Sequence, residues 1–544
     1  MSSKKKSLQQ NAVIVQSRGA VSDLHALQLH RLPTAIPPDI RFSDYQKYAF
    51  DYFRRKATIQ LERNMSSARW TRLALQLSTE TPVFHAVAAL GSSYRTLVQL
   101  THAAFACPSV DDTEALDQSC TAIASLRRHL DGAVSRTASL ESVLMACLLL
   151  LTLELVRGNS AAVLSHLRFG RKAARECVQS GNDRSLGIKL EARSTVTTRE
   201  LMSMFNQLEA HCVLSPQIPG RVLYSEDRPG YRPSTQLPSP LTTVEDVRTQ
   251  LDILIVASHR LRMDVLQIAQ SALQKQEHKP NCLARRTCIN QCLSRTINLD
   301  QHPDIITRLH SLTVAFSAWL TKLSEILFTQ HKPDKRRALT FLQIRHFHST
   351  FLLSTCRETR EQRSDFFSAD WARVLDLAEE YLAAHPVRED NRIESLTSHP
   401  GPRPNFTIDT GVLPTLYLIC LKCRDSAVRR RALQVLRRTD RLEGFLQSQT
   451  LANHAECIID LEERHARLLI PLLDDTTTSE DGSALTADQV PEAARILDAV
   501  VAAAPTKPTE MHVVCGRIAH ERDGELEVVE YRFTGCPMVL YPIS

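Results

Sequence analysis

The sequence predicts an all-α fold, and three observations carry that expectation. Glycine is scarce, at 16 residues in 544, while leucine and alanine, the strong helix formers, are abundant. Apolar residues recur every three or four positions along most of the chain, the spacing that lines one face of a helix. Prolines gather in stretches that separate the periodic ones.

Residues 1–40 are polar and end in Pro33, Pro37 and Pro38, as a basic, disordered N-terminal tail does. Residues 41–215 form a first helical half. Ser43 and Gln46 have capping-box spacing, and Phe42, Tyr45, Ala49, Phe53 and Ala57 follow at helical intervals. Phe84, Val87, Ala88, Gly91, Tyr94 and Val98 make a second stripe. The stretch Leu144–Val156 is apolar nearly all round, which places it at the centre of a core. Helices are expected at about 161–179 and 198–214.

Residues 216–240 are a proline-rich loop holding six prolines. The second helical half, 241–385, opens on a capping box of Thr242 and Glu245 and resumes at 306–328, 338–356 and 371–384. A proline-rich linker covers 386–411. Residues 412–544 hold a helical block to about Ile470, an acidic loop near 474–482 expected to be disordered, and a short helix opened by Pro491. A β-prone tail ends the chain. His512–Ile518 and Glu527–Phe533 flank Gly524 there, as in a hairpin.

Composition narrows the class. Sixty-six basic and 60 acidic residues leave a net charge of +6, spread thinly rather than gathered on a recognition face. The 14 cysteines are scattered along the chain, most of them in apolar helical runs, and read as reduced thiols of an intracellular protein, not as a disulfide scaffold. No secretory signal follows Lys4, Lys5 and Lys6. The longest apolar run, Val143–Leu151, falls short of the roughly 18 residues that span a bilayer.

Enzyme signatures are missing. There is no phosphate loop, dinucleotide fingerprint, zincin helix or nucleophile elbow. Neither a catalytic, a metal nor a cofactor residue is assigned. Four local patterns remain. Cys420 and Cys423 form a Cys-x-x-Cys without a βαβ setting, so core thiols compete with a redox or metal pair. Cys282, Cys288 and Cys292, near Arg285 and Arg286, lack zinc-site spacing. His346 and His348 read as a partial ligand set or as a solvated or core-edge helix. Arg429, Arg430, Arg431, Arg437, Arg438 and Arg441 read as a solvated face paired with acids such as Glu443, or as phosphate contacts.

Three segments carry a resemblance. Phe406–Glu463 holds Pro414, Leu416, Tyr417, then Cys423, Arg424, Asp425, then Arg430, Arg431, Ala432, Leu436, Arg441, Glu443 and Gly444. Trp70–Tyr94 ends in a run through Pro82, Ala86, Ala89, Leu90 and Gly91. Leu144–Gly170 is a helix pair joined at Gly158 and Asn159 and closed by His166, Leu167 and Gly170. In order and spacing, over about 42–535, these resemble the helical regulatory domain of the fungal zinc-cluster transcription factors, whose DNA-binding element holds six cysteines and two zinc ions.

The resemblance implies a multi-helix regulatory domain, a nuclear location, and transcription control of metabolic or secondary-metabolite genes rather than catalysis. The zinc cluster itself has no counterpart, since the first cysteine is Cys107. The expected partners are therefore other transcription factors or coregulators, with DNA reached indirectly or through a missing N-terminal cluster. A small-molecule effector and a dimer are also implied, and a membrane is not. Lys4, Lys5 and Lys6 are the candidate nuclear-import residues. The alternative is a metabolite-sensing helical interaction protein without transcriptional activity, for which Leu144–Val156 would line a pocket. At Gly91 and Gly444 the resemblance fits close packing or chain breaks, and Arg430 and Arg431 are expected to pair with Asp425 and Glu443.

Overall fold

The computed structural model describes residues 43–58, 61, 69–100, 110–132, 138–157, 159–178, 190–214, 243–273, 288–289, 292, 297–357, 360–383, 405–408, 410–444, 446–473, 485–504, 507–518, 526–534 and 539–542. Fourteen α-helices dominate them, as the periodicity predicts. The tail Lys4–Lys6, Gly158, the proline-rich stretch 216–240 and the acidic loop lie outside the described residues. The chain divides into two compact units, 1–202 and 203–544.

In the first unit α1 (Asp44–Tyr52) starts where the capping box places it. The Ser43 hydroxyl accepts from Gln46 N, and Gln46 Oε1 accepts from Ser43 N. A single π-helical turn, Phe53–Ala57, continues it. Next come α2 (Arg69–Leu77), α3 (Thr81–Leu100), α4 (Val110–Gly132), α5 (Leu140–Val156) and α6 (Ser160–Val178). The centre is α5, with every residue from Leu140 to Leu155 buried, and α2, α3, α4 and α6 pack around it. A helix without a polar face has nowhere to sit but inside. Its all-round apolar surface is thus used by neighbouring helices, as a core requires. Two buried carboxylates of α5 have polar partners. Glu141 Oε1 accepts from Ser194 N at 2.7 Å and from Thr198 Oγ1 at 3.1 Å, and Glu154 pairs with Arg157 at 3.2 Å. Asn159 caps α6, its Oδ1 accepting from Ala162 N. Gly91, in the middle of α3, lets α1 approach closely: a Cβ there would stand 2.1 Å from the Ala49 carbonyl oxygen.

α7 (Thr195–Leu214) runs across the boundary between the units. The second unit continues with α8 (Val244–Leu273), α9 (Pro303–Thr329), α10 (Pro333–Ser354), α11 (Ser368–Ala383), α12 (Val412–Lys422), α13 (Ser426–Arg438) and α14 (Ser448–Leu473). The cap of α8 is one residue later than the spacing of Thr242 and Glu245 suggests. Thr243 and Asp246 exchange the reciprocal bonds, Thr243 N reaching Asp246 Oδ2 at 2.9 Å and Asp246 N reaching Thr243 Oγ1 at 3.1 Å. The shorter aspartate side chain still spans that turn. Trp319 of α9 is buried and donates its indole N–H to the Val247 carbonyl at 2.8 Å, which ties α9 to α8. Trp371 of α11 is enclosed by Phe347, Phe351 and Phe367 and donates to the Ser364 carbonyl.

Strands are few but larger at the C-terminus than a hairpin. β1 (Ala138–Ser139) pairs with β2 (Leu190–Glu191), and β3 (Asn405–Thr407) with β4 (Arg441–Glu443), both in parallel; β5 (Leu446–Gln447) then turns back on β4. Four antiparallel strands follow in the order β6 (Ile496–Ala504), β7 (Lys507–Ile518), β8 (Leu526–Thr534) and β9 (Val539–Pro542). The expected β7–β8 pairing is present, from Ile518 opposite Leu526 to Glu510 opposite Thr534. The short helix expected after Pro491 is only a 3-10 turn, Glu492–Ala494, before β6 begins. Alternation along β7 sends Val513 and Cys515 towards Cys457, Ile458 and Leu461 of α14, and Val514 towards Cys288 and Cys292.

Candidate functional site

The segment 406–463 folds into α12, α13 and the start of α14, with β4 and β5 between the last two. Its motif residues are structural fastenings. Glu443 Oε2 accepts from the backbone N–H groups of Gly411, Val412 and Leu413 at 3.0, 3.1 and 3.0 Å, so one carboxylate oxygen caps α12 from 30 residues away. Its other oxygen accepts from Arg441 Nε at 2.8 Å. Asp425 caps α13, accepting from Val428 N at 3.0 Å. Gly444 takes a left-handed conformation, φ 57°, and donates to the Thr407 carbonyl at 2.9 Å.

Beneath this lies a buried knot of charges. Arg424 donates through Nη2 to Glu462 Oε1 at 2.7 Å and through Nη1 to Glu361 Oε2 at 2.9 Å. Arg429 donates to Glu462 Oε2 at 2.8 Å and to the Cys420 carbonyl. Lys422 Nζ meets Glu361 Oε1 at 3.1 Å and the Leu497 carbonyl at 2.7 Å. Ile496 N donates to Glu462 Oε1 at 2.9 Å, which fastens β6 to the same point. Arg495 grips Asp365 with both Nη atoms at 2.9 and 2.8 Å. Burial alone would raise the Glu462 carboxyl; Arg424 and Arg429 outweigh it and hold the group at about 2. Burial works against the Arg424 charge too, and Glu462 and Glu361 outweigh it, so its pKa rises. All four oxygens of Glu361 and Glu462 accept from donors of this chain. Such a knot holds three helices, a 3-10 segment and a strand in register, and presents no group to a reactant.

The outer arginines divide by burial. Arg430 pairs with Glu463 at 2.5 Å, Arg431 with Asp376 and Glu379 at 2.7 and 2.5 Å, Arg438 with Glu379 at 2.6 Å, and Arg437 with Glu456. The sequence-based pairing of Arg430 and Arg431 with Asp425 and Glu443 is therefore corrected, because both acids are used as helix caps. Arg429 and Arg441 are buried rather than on a solvated face.

Cys420 and Cys423 are buried, and burial pushes their thiols up to about 12 and about 11. Cys288 and Cys292 are buried against β7, while Cys282, Arg285 and Arg286 lie outside the described residues. Among the described residues no three His, Cys, Asp or Glu side chains are placed to hold a metal ion. His346 and His348 sit in the core, not on a solvated or edge position. His346 Nε2 donates to the Phe316 carbonyl at 3.1 Å and its ring stacks on Trp319, while His348 Nδ1 lies 3.3 Å from Thr415 Oγ1. Burial lowers the two imidazoles to about 4 and about 3.

Sequence reading missed Glu361, Glu462, Asp252 and Arg345 as members of a network. A signal existed for two of them. Glu462 follows Ile458 and Ile459 by four and three residues, and Arg345 follows Phe341 and Leu342 likewise, so each charge stands on an apolar stripe.

The first unit is thus an α-helical domain, and comparison with known proteins gives it a relationship. Residues 48–208 match the family described as "Fungal specific transcription factor domain". That span includes the segments Trp70–Tyr94 and Leu144–Gly170, and leaves Phe406–Glu463 outside. A stretch of 84 residues is 38% identical to the Aspercryptin biosynthesis cluster-specific transcription regulator atnN of Emericella nidulans, covering 12% of this chain and 14% of that protein. The chain therefore matches about a seventh of the length of that relative. No solved structure matches. Among the described residues no helix is long and apolar enough to cross a membrane.

Proposed function

We propose that the chain regulates transcription, in the nucleus, through protein partners rather than by catalysis. The match of residues 48–208 to the fungal transcription factor domain carries this reading. The relative is named for a biosynthesis cluster, and this favours secondary-metabolite genes as targets. DNA specificity then comes from a partner factor that carries a zinc cluster, or from a cluster encoded ahead of Met1. The basic residues Lys4, Lys5 and Lys6 serve import, and the proline-rich stretches 216–240 and 386–411 separate the helical blocks.

A deletion strain tests the proposal. Its transcriptome is expected to lose or gain a contiguous set of biosynthetic transcripts, and a fluorescent fusion is expected in the nucleus. An unchanged transcriptome together with a fusion excluded from nuclei overturns it. Replacing Lys4, Lys5 and Lys6 by alanine is expected to move the fusion to the cytoplasm.

A further inference from the structure

Inside the second unit, α7, α8, α10 and the start of α12 bring charged and titratable side chains together. Arg345 of α10 is fully shielded from solvent, and its Nη2 lies 2.8 Å from Asp252 Oδ1 of α8, itself 4% exposed. The guanidinium stands 5.7 Å from the centre of the Phe341 ring. Gly411 makes room for the stem, since a Cβ there would come within 2.6 Å of Arg345 Cγ. Arg345 Nε and Nη1 find no hydrogen-bond acceptor. An unserved donor on a buried charged group is expensive, so such groups in folded proteins have acceptors.

The surroundings share this polarity. His211 of α7 is buried, and its Nδ1 donates to the Ile408 carbonyl at 2.9 Å. Burial first, then the charges of Arg345 and Arg248, keep its imidazole neutral. His348 is likewise held neutral by burial, with Arg262 and Arg345 adding to the effect. Asp252 faces Arg345 and Arg248 together, yet its burial outweighs both and raises its carboxyl. One carboxylate, reluctant to ionise, thus stands beside two guanidiniums. The chemistry that completes such a cluster is a small oxyanion with several acceptor lone pairs, which a guanidinium matches better than any other side chain.

We propose that Arg345 is the anchor of an internal binding site for a small oxyanion, a carboxylate or a phosphate. The anion accepts from the Nη1 end of the Arg345 fork, beside the Nη2 that faces Asp252. No bond is made or broken. The buried position requires the helices to open for entry, so the ligand is small. The inference goes beyond the regulatory reading and is independent of it, because binding is measured on the purified chain.

The test uses the full-length protein in low-chloride buffer, titrated calorimetrically with inorganic phosphate and, separately, with succinate. Saturable binding of at least one anion at one site per chain is expected, with a rise in melting temperature. Binding of phosphate alone, or of succinate alone, identifies which source of the oxyanion the site takes. Arg345→Met is expected to weaken binding at least tenfold. Asp252→Asn, which removes the competing carboxylate and keeps Arg345, is expected to tighten it, and it serves if the methionine variant does not fold. Selenate soaked into crystals of the wild-type protein is expected to give an anomalous peak within hydrogen-bonding distance of Arg345. No saturable binding of either anion, unchanged affinity in Arg345→Met, weaker binding in Asp252→Asn, or selenate peaks confined to the surface would each overturn the proposal.

Discussion

Glu462 Oε1 lies 2.7 Å from Arg424 Nη2, and neither side chain has any exposure to solvent. Arg429 reaches the other oxygen of the same carboxylate at 2.8 Å. Glu462→Gln keeps the shape and removes the charge that two guanidiniums need. Breaking a buried pair from one side costs roughly 3–5 kcal/mol. Urea unfolding of the variant is expected to show a loss of that size in the second unit. A change under about 1 kcal/mol would mean that the surrounding carbonyls and Glu361 suffice.

Acid should destabilise the second unit before its carboxylates titrate. Burial lowers His259, His346 and His348 to about 3, 4 and 3. The unfolded chain takes up these protons near the ordinary value of 6.5. Their contribution to stability is thus complete above 6.5 and is lost as pH falls towards 4 and then 3, at about 1.4 kcal/mol per pH unit for each histidine. Glu462 adds a later loss, from its ordinary 4.5 down to about 2. Melting temperature measured from pH 7 to 5 is expected to fall steadily, and because burial lowers His211 and His454 as well, His348→Gln is expected to flatten the slope by roughly a fifth. A flat profile over that range would contradict the neutral, buried state of these rings.

Gly91→Ala should damage the first unit although alanine is the better helix former. The added Cβ would meet the Ala49 carbonyl at 2.1 Å, and a backbone oxygen cannot rotate away. Overpacking of this kind costs about 1–3 kcal/mol. Limited trypsin digestion is expected to cut at Arg54 or Arg55 sooner in the variant than in the wild type.

Thiol reactivity should separate the cysteines by burial. Cys120 is exposed, whereas Cys147, Cys212, Cys420 and Cys457 are pushed up to about 12 by burial. At pH 8 iodoacetamide is expected to label Cys120 in the native protein and the other four only after denaturation. Peptide mass spectrometry reads this directly, and early labelling of Cys420 would show that the α12–α13 corner opens.

Much of the helical frame was legible because local signals set it. Ser43 with Gln46 fixes the first cap, and the unbroken apolar run of α5 forces it inside. β6 was not legible, since its sequence, ILDAVVAAA, reads by propensity as a helix and becomes a strand only by pairing with β7. The ion pairs were hidden for a different reason. Arg430 finds Glu463 33 residues away and Arg431 finds Glu379 52 residues away, and no local pattern encodes a partner at that distance. The acids nearest to Arg430 and Arg431 in sequence, Asp425 and Glu443, are already claimed by backbone N–H groups.

The knot around Glu462 also offers an experimental handle. Its ties join α12, α13, α14 and β6 at one point, so a mild lesion there loosens several elements at once while leaving every surface residue in place. Conservative changes such as Arg429→Lys or Glu361→Gln are therefore good sources of heat-sensitive alleles. In living cells these would let the protein be switched off by warming, so that its immediate effects could be separated in time from later ones.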